Sequence, residues 1–222
     1  MRLGNSTKFN IAHNLFATQI KWSLWYILAA LAIYFFTYYI VAESGDISLA
    51  WAIIETSKLC MLVFGLSIFL ALLPQYVKYG VTRKEYFVGS AIAAVGVVIG
   101  TVAIALILNK IAYTFGLSTS SLPDFNAVPA WILPSALSLN LLSYYVAGWL
   151  IAAAIFKGKL GFGLIPVAVF IVFLTALLWK GQIFGFVLTA PYSLSILGNI
   201  LLVSLGLVVI RLITRAIPID VK

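Results

Sequence analysis

The residues best placed to do chemistry or to grip a partner lie in residues 74–89, PQYVKYGVTRKEYFVG, where Lys78, Arg83, Lys84 and Glu85 interrupt two apolar runs. Pro74 lacks a backbone donor and disfavours helical geometry at the residue before it, so the preceding helix is expected to end there. Gly80 permits a turn. Thr82 and Glu85 stand at the spacing of a capping box, in which the threonine hydroxyl takes the amide three residues on and the glutamate reaches back to the threonine amide. A new helix is therefore expected to start at Thr82 and carry Tyr86 and Phe87 to the headgroup level, with residues 75–79 as a short helix on the membrane surface. A rigid, basic, aromatic-edged elbow of this kind can dock on a soluble partner. A positive loop that only sets topology has the same composition, and both readings stay open at this point.

Other candidate chemistry is sparse. Glu55 and Lys58, at i and i+3, are opposite charges inside a long apolar run and can pair on one helix face. Either they form an interfacial ion pair or they belong to a transport or proton-relay path. His13, the single histidine, has no acidic or cysteine neighbour and reads as a solvated or headgroup-level side chain. The single Cys60 can form neither a disulfide framework nor a cysteine metal site within one chain. There is no HExxH, no serine beside a histidine and no GxxxxGK[ST], so neither an intramembrane enzyme nor a self-contained nucleotide hydrolase is expected, and no metal or cofactor of the chain's own.

The elements that must position these residues are membrane helices. With 64% hydrophobic residues, 9% charged ones and a mean hydropathy of +1.13, the chain reads as an all-α integral membrane protein. A net charge of +8 would suggest nucleic acid in a soluble chain, but here the basic residues sit between apolar spans, where they govern insertion and headgroup contact. Nucleic acid is not an expected partner; the lipid bilayer is. The opening MRLGNSTKFN lacks the apolar core and cleavage site of a secretory signal, so no removal is expected.

A single transmembrane domain over residues 1–222 divides as follows. Residues 7–21 are amphipathic and broken by polar side chains, and are expected to form an interfacial helix. Six spans follow at residues 22–42, 49–73, 86–108, 129–156, 160–179 and 192–210, each near the length needed to cross ~30 Å of hydrocarbon at ~1.5 Å per residue. The aromatic side chains of the first span read as interfacial belts or as a substrate-contacting surface. For the second reading the candidates are Trp25, Tyr34 and Tyr38, with Glu55 and Lys58 on the second span. Gly96 and Gly100 of the third span make a GxxxG that lets another helix backbone come close. Residues 109–128 read as an exposed loop, and residues 180–191, too apolar for a free loop and too short to cross, as a broken or re-entrant segment.

Orientation follows from the basic residues. Arg2, Lys8, Lys21, Lys78, Arg83, Lys84, Lys157, Lys159, Arg211, Arg215 and Lys222 fall on one side of this topology, and Lys58, Lys110 and Lys180 on the other. The first side should be cytoplasmic, placing both termini and residues 74–85 in the cytosol and Glu43, Asp46 and Asp124 outside.

Six spans with both ends inside, an amphipathic start, a cytosolic elbow between the second and third spans and a broken segment before the sixth resemble the ABC-2-type permeases, the membrane subunits of bacterial ABC exporters. The motif carrying the resemblance is Tyr76-Val77-Lys78-Tyr79-Gly80-Val81-Thr82-Arg83-Lys84-Glu85-Tyr86-Phe87-Val88-Gly89, which looks like the glycine-hydrophobic-[ST]-R-[KR]-[DE]-aromatic-F-x-G start of the third span in Firmicute members. Among such permeases the chain is similar to those of amphipathic-peptide exporters such as the phenol-soluble-modulin system. The resemblance implies a multi-pass protein of the bacterial cell membrane. Residues 74–85 would be its coupling segment, docking on a separate cytosolic ABC ATPase that binds ATP and Mg. Tyr76, Lys78, Tyr79, Arg83 and Lys84 would form the contacting edge, Gly80 the bend, and Thr82 with Glu85 the clip. It also implies a second permease subunit, identical or different, with the first, second and fifth spans along the seam. Readings from other classes are a non-transporting anchor or sensor subunit for an ATPase, and an ion-coupled secondary carrier.

Overall fold

The computed structural model describes residues 4–40, 49–115, 131–156, 182–183, 186–187 and 192–216. Within them the chain is helical: α1 (Gly4–Ile40), α2 (Leu49–Ser67), a π-helical turn (Ile68–Leu72), α3 (Leu73–Lys78), α4 (Arg83–Thr114), α5 (Ile132–Phe156) and α6 (Tyr192–Ala216). The exception is a two-rung antiparallel ladder, β1 (Gln182–Ile183) against β2 (Phe186–Val187). That ladder falls in the stretch expected to be broken or re-entrant, whose remaining residues before α6 lie outside the described set. So do the expected fifth span at 160–179, the acidic residues Glu43, Asp46 and Asp124, and most of the 109–128 loop.

Among the described residues, four helices are long and apolar enough to cross a membrane, over Lys8–Phe36, Ala52–Lys78, Arg83–Thr114 and Ile132–Ile155; the apolar part of α6, Ile196–Leu212, is shorter. The chain is thus a membrane-embedded helical protein by the length and composition of its helices.

The first correction concerns the amino-terminal segment. Residues 7–21 are not a separate interfacial helix handing over to a span at residue 22, because α1 runs unbroken for 37 residues. From Asn5 to Ile40 there is neither proline nor glycine to end it. Its first turns lie along α4. A Cβ on Gly89 would meet the Ile11 side chain at 2.8 Å and the Lys8 carbonyl at 3.1 Å, one on Gly96 the Phe16 ring at 3.1 Å, and one on Gly100 the Ile20 Cδ1 at 3.2 Å. The order of these contacts makes α1 and α4 parallel. The GxxxG of α4 therefore receives α1 of the same chain.

A second correction concerns Pro74. It does not end the helical path but sits in the first turn of α3, where a missing donor is tolerated. The α-geometry gives way earlier, at the π-turn, whose wider backbone precedes the proline ring. Beyond it, α3 is the short helix expected over residues 75–79, shifted toward its start.

The core forms where α2 meets α5. A Cβ on Gly65 would collide with the Tyr145 carbonyl, and one on Gly148 with the Leu62 carbonyl, so each helix presses its backbone into the other's glycine. Around this contact Met61, Leu141, Trp149 and Leu150 are fully buried. Helix α5 is the most enclosed of the four spans. Gly148→Val should cost about 1–3 kcal/mol by forcing two backbones apart, read as a lower thermal midpoint in detergent; an unchanged midpoint would deny the close crossing.

Candidate functional site

The elbow is built from two local motifs placed end to end. Helix α3 closes with Gly80 at φ +80°, in the left-handed region that favours glycine. The Gly80 N–H donates to the Val77 carbonyl at 3.0 Å and the Val81 N–H to the Tyr76 carbonyl at 3.1 Å, a Schellman close. The next residue opens α4. The Thr82 Oγ1 accepts the Glu85 N–H at 3.3 Å, the Thr82 N–H donates to Glu85 Oε2 at 3.3 Å, and the Thr82 hydroxyl donates to the same carboxylate at 2.7 Å. The capping box read from spacing is present, and only the four residues 79–82 separate the two helices.

Not every residue expected on the contacting edge points outward. Lys78, Tyr79, Gly80, Thr82 and Lys84 are exposed, Tyr79 at 85%. Arg83 and Glu85 are half-buried. Tyr76 turns inward and packs on Tyr86, ring centroids 5.3 Å apart. Tyr86 faces the protein interior. It is 2% exposed, and its hydroxyl donates to the Ile68 carbonyl at 2.6 Å. Phe87 packs on Trp149 of α5 at 5.3 Å, and the Arg211 guanidinium of α6 lies 5.4 Å from the Phe87 ring centroid. The elbow is thereby tied to the π-turn, α5 and α6.

Along the helices from the elbow lies a polar layer that sequence reasoning missed. Gln19 and Ser23 of α1, Ser57 of α2, Thr101 of α4 and Asn140, Ser143 and Tyr145 of α5 are all buried. Those on α1, α4 and α5 stand within about one turn of the middle of their apolar windows, and Ser57 nearer the far end of its own. The Tyr145 hydroxyl donates to Gln19 Oε1 at 3.0 Å, the Tyr26 hydroxyl to Thr101 Oγ1 at 3.3 Å, and the Ser143 hydroxyl to Asn199 Oδ1 of α6 at 2.9 Å. Ser23 and Ser57 return their hydroxyls to the carbonyls of Gln19 and Ile53. Gln19 Nε2, Trp149 Nε1 and both polar atoms of the Asn140 side chain have no hydrogen-bond partner among the described residues. The available signal was the i, i+4 spacing of Gln19 and Ser23, which places them on one face.

The residues considered for a substrate path separate. Trp25 is 75% exposed on the outer face of α1, whereas Tyr34 is 6% exposed and packs on Phe35 at 5.7 Å. Tyr38 lies on α1, but its side chain is outside the described set. Glu55 and Lys58 do pair, Nζ to Oε1 at 2.5 Å, with the lysine buried and the carboxylate partly open. The lysine end of this pair faces the protein and the glutamate end is open to the outside of the bundle. Among the described residues no group of three His, Cys, Asp or Glu side chains is placed to hold a metal ion.

Set beside known proteins, the chain matches no family model, no curated protein and no solved structure.

Two outcomes check this geometry. Thr82→Ala should lower stability by about 1 kcal/mol through loss of the cap, read from unfolding in detergent. Tyr145→Phe or Gln19→Leu alone should each cost about 1–3 kcal/mol by stranding a buried partner, while the double variant should cost clearly less than their sum. Strict additivity would deny the bond.

Proposed function

We propose that the chain is the permease subunit of an ATP-driven exporter in the bacterial cell membrane. It couples ATP hydrolysis by a separate cytosolic ABC ATPase, which holds ATP and Mg, to outward movement of an amphipathic substrate such as a peptide. In this reading the chain has six spans with both termini in the cytosol and a re-entrant segment before the last span. It pairs with a second permease subunit, identical or different.

The observation that carries the reading is the build of the elbow. Topology-setting loops need only charge, whereas here a Schellman close runs directly into a capping box. The result is a rigid corner that presents Lys78, Tyr79 and Lys84 to water. Its far side is locked into the bundle by Tyr86, Phe87 and Arg211. Such a corner can take a push at its exposed edge and pass it to three helices. The absence of a phosphate-binding loop in the sequence supports assigning the motor to another chain.

The test is reversal of the exposed charges, Lys78→Glu with Lys84→Glu. Both side chains are exposed, so the melting behaviour of the chain should hold. Vanadate-sensitive ATPase activity that co-purifies with the chain from gentle detergent should fall at least ~10-fold, because reversed charge at a docking edge repels the surface it formerly matched. Full retention of that activity would reject the docking role.

A further inference from the structure

Between the membrane part of α2 and the elbow, the helix passes through a π-turn at Ile68–Leu72, the single one among the described residues. A π-turn is equivalent to one extra residue in an α-helix, and such turns concentrate where a helix has a working part. Because successive residues advance by about 100°, closing the turn to α-geometry would rotate everything beyond it by about that angle relative to α2. What lies beyond it is α3 and the edge carrying Lys78 and Tyr79.

One side chain spans both ends of this turn. The Ile68 carbonyl accepts the Leu73 N–H five residues on, the bond that defines the π-geometry, and also accepts the Tyr86 hydroxyl at 2.6 Å. A carbonyl has two lone pairs, and both are occupied here. The same Tyr86 ring packs on Tyr76, beyond the turn. Tyr86 stands one turn into α4, directly after the Thr82 cap, so its place is fixed by the elbow itself. Pro74 follows the turn and supplies no donor, which leaves this part of the helix with fewer internal bonds to resist a change of register.

We infer that the π-turn at Ile68–Leu72 is a hinge between the membrane helix and the elbow, and that the Tyr86 hydroxyl on the Ile68 carbonyl is the brace that holds it in one register. With the brace in place, α3 and the start of α4 move as one body. Without it, α3 can turn on α2 while the elbow's own caps stay intact. The hinge would give the docking reading its moving part, but it is defined within this chain and is tested with no partner present.

The experiment uses the full chain in detergent, in a Cys60→Ser background, with spin labels attached through Tyr79→Cys at the elbow and Ile155→Cys at the near end of α5; both positions are exposed. Inter-label distances and backbone amide exchange are measured with and without Tyr86→Phe. The unmodified brace should give one narrow distance. Tyr86→Phe should add a second distance population and speed exchange over residues 69–78 by about tenfold, the loss expected for one buried hydrogen bond, while residues 93–105 of α4 keep their rates. Tyr145→Phe is the control, since it removes another buried hydroxyl bond away from the turn and should leave a single distance. The inference is overturned if Tyr86→Phe leaves distance and exchange unchanged, if exchange rises equally along α4, or if Tyr145→Phe yields the same second population. None of these readouts depends on an ATPase, so loss of the hinge and loss of the docking role are separate results.

Discussion

Hydrocarbon offers no hydrogen bonds, and this constraint orders the whole molecule. A polar side chain on a spanning helix gains by turning toward protein, and the structure gives the partners of several that do so. Gln19 meets Tyr145, Tyr26 meets Thr101, and Ser143 meets Asn199. Asn109 of α4 accepts the Ala50 N–H at the start of α2, where a helix end would otherwise leave a donor unpaired. Lys58 is drawn inward onto Glu55. Apolar packing sets how closely the helices approach, through the glycines of α2, α4 and α5, while these polar contacts select which faces meet.

The elbow obeys the same rule with different means. Leaving a helix exposes carbonyls and starting another exposes amides, and at residues 79–82 the carbonyls of Gln75, Tyr76 and Val77 accept backbone amides while the Thr82 hydroxyl accepts the Glu85 N–H. The linker is thus closely bonded to both helices. Movement at the elbow therefore has to be absorbed elsewhere, and the π-turn before Pro74 is where the helical bonding pattern changes. Rigid corner and compliant neighbour are complementary parts of one design.

What could be read from the sequence was local. The capping box and the Gly80 bend depend on residues within four positions of each other, and both stand as expected. The membrane character follows from composition, and four spanning helices embody it. For residues 7–21 the difficulty was that polarity along a line does not say which way a side chain faces. Gln19 in that stretch is buried, as is Ser23 just beyond it. Tyr86 posed a related difficulty, since an aromatic near a helix start suits a headgroup belt as well as a buried brace, and only the Ile68 carbonyl 18 residues away shows the second. The π-turn had no sequence signature beyond the proline that follows it. Trp25 and Tyr34 could not be separated by residue type, because both are aromatic and only their place on the helix differs.

The proposed function depends on the rigid basic corner at residues 74–85 facing the cytosol. The most direct measurement is labelling of Tyr79→Cys in the Cys60→Ser chain by a membrane-impermeant maleimide, in intact cells and in inside-out vesicles. The account predicts labelling in the vesicles and none from outside the cell. Labelling of that position in intact cells would contradict it.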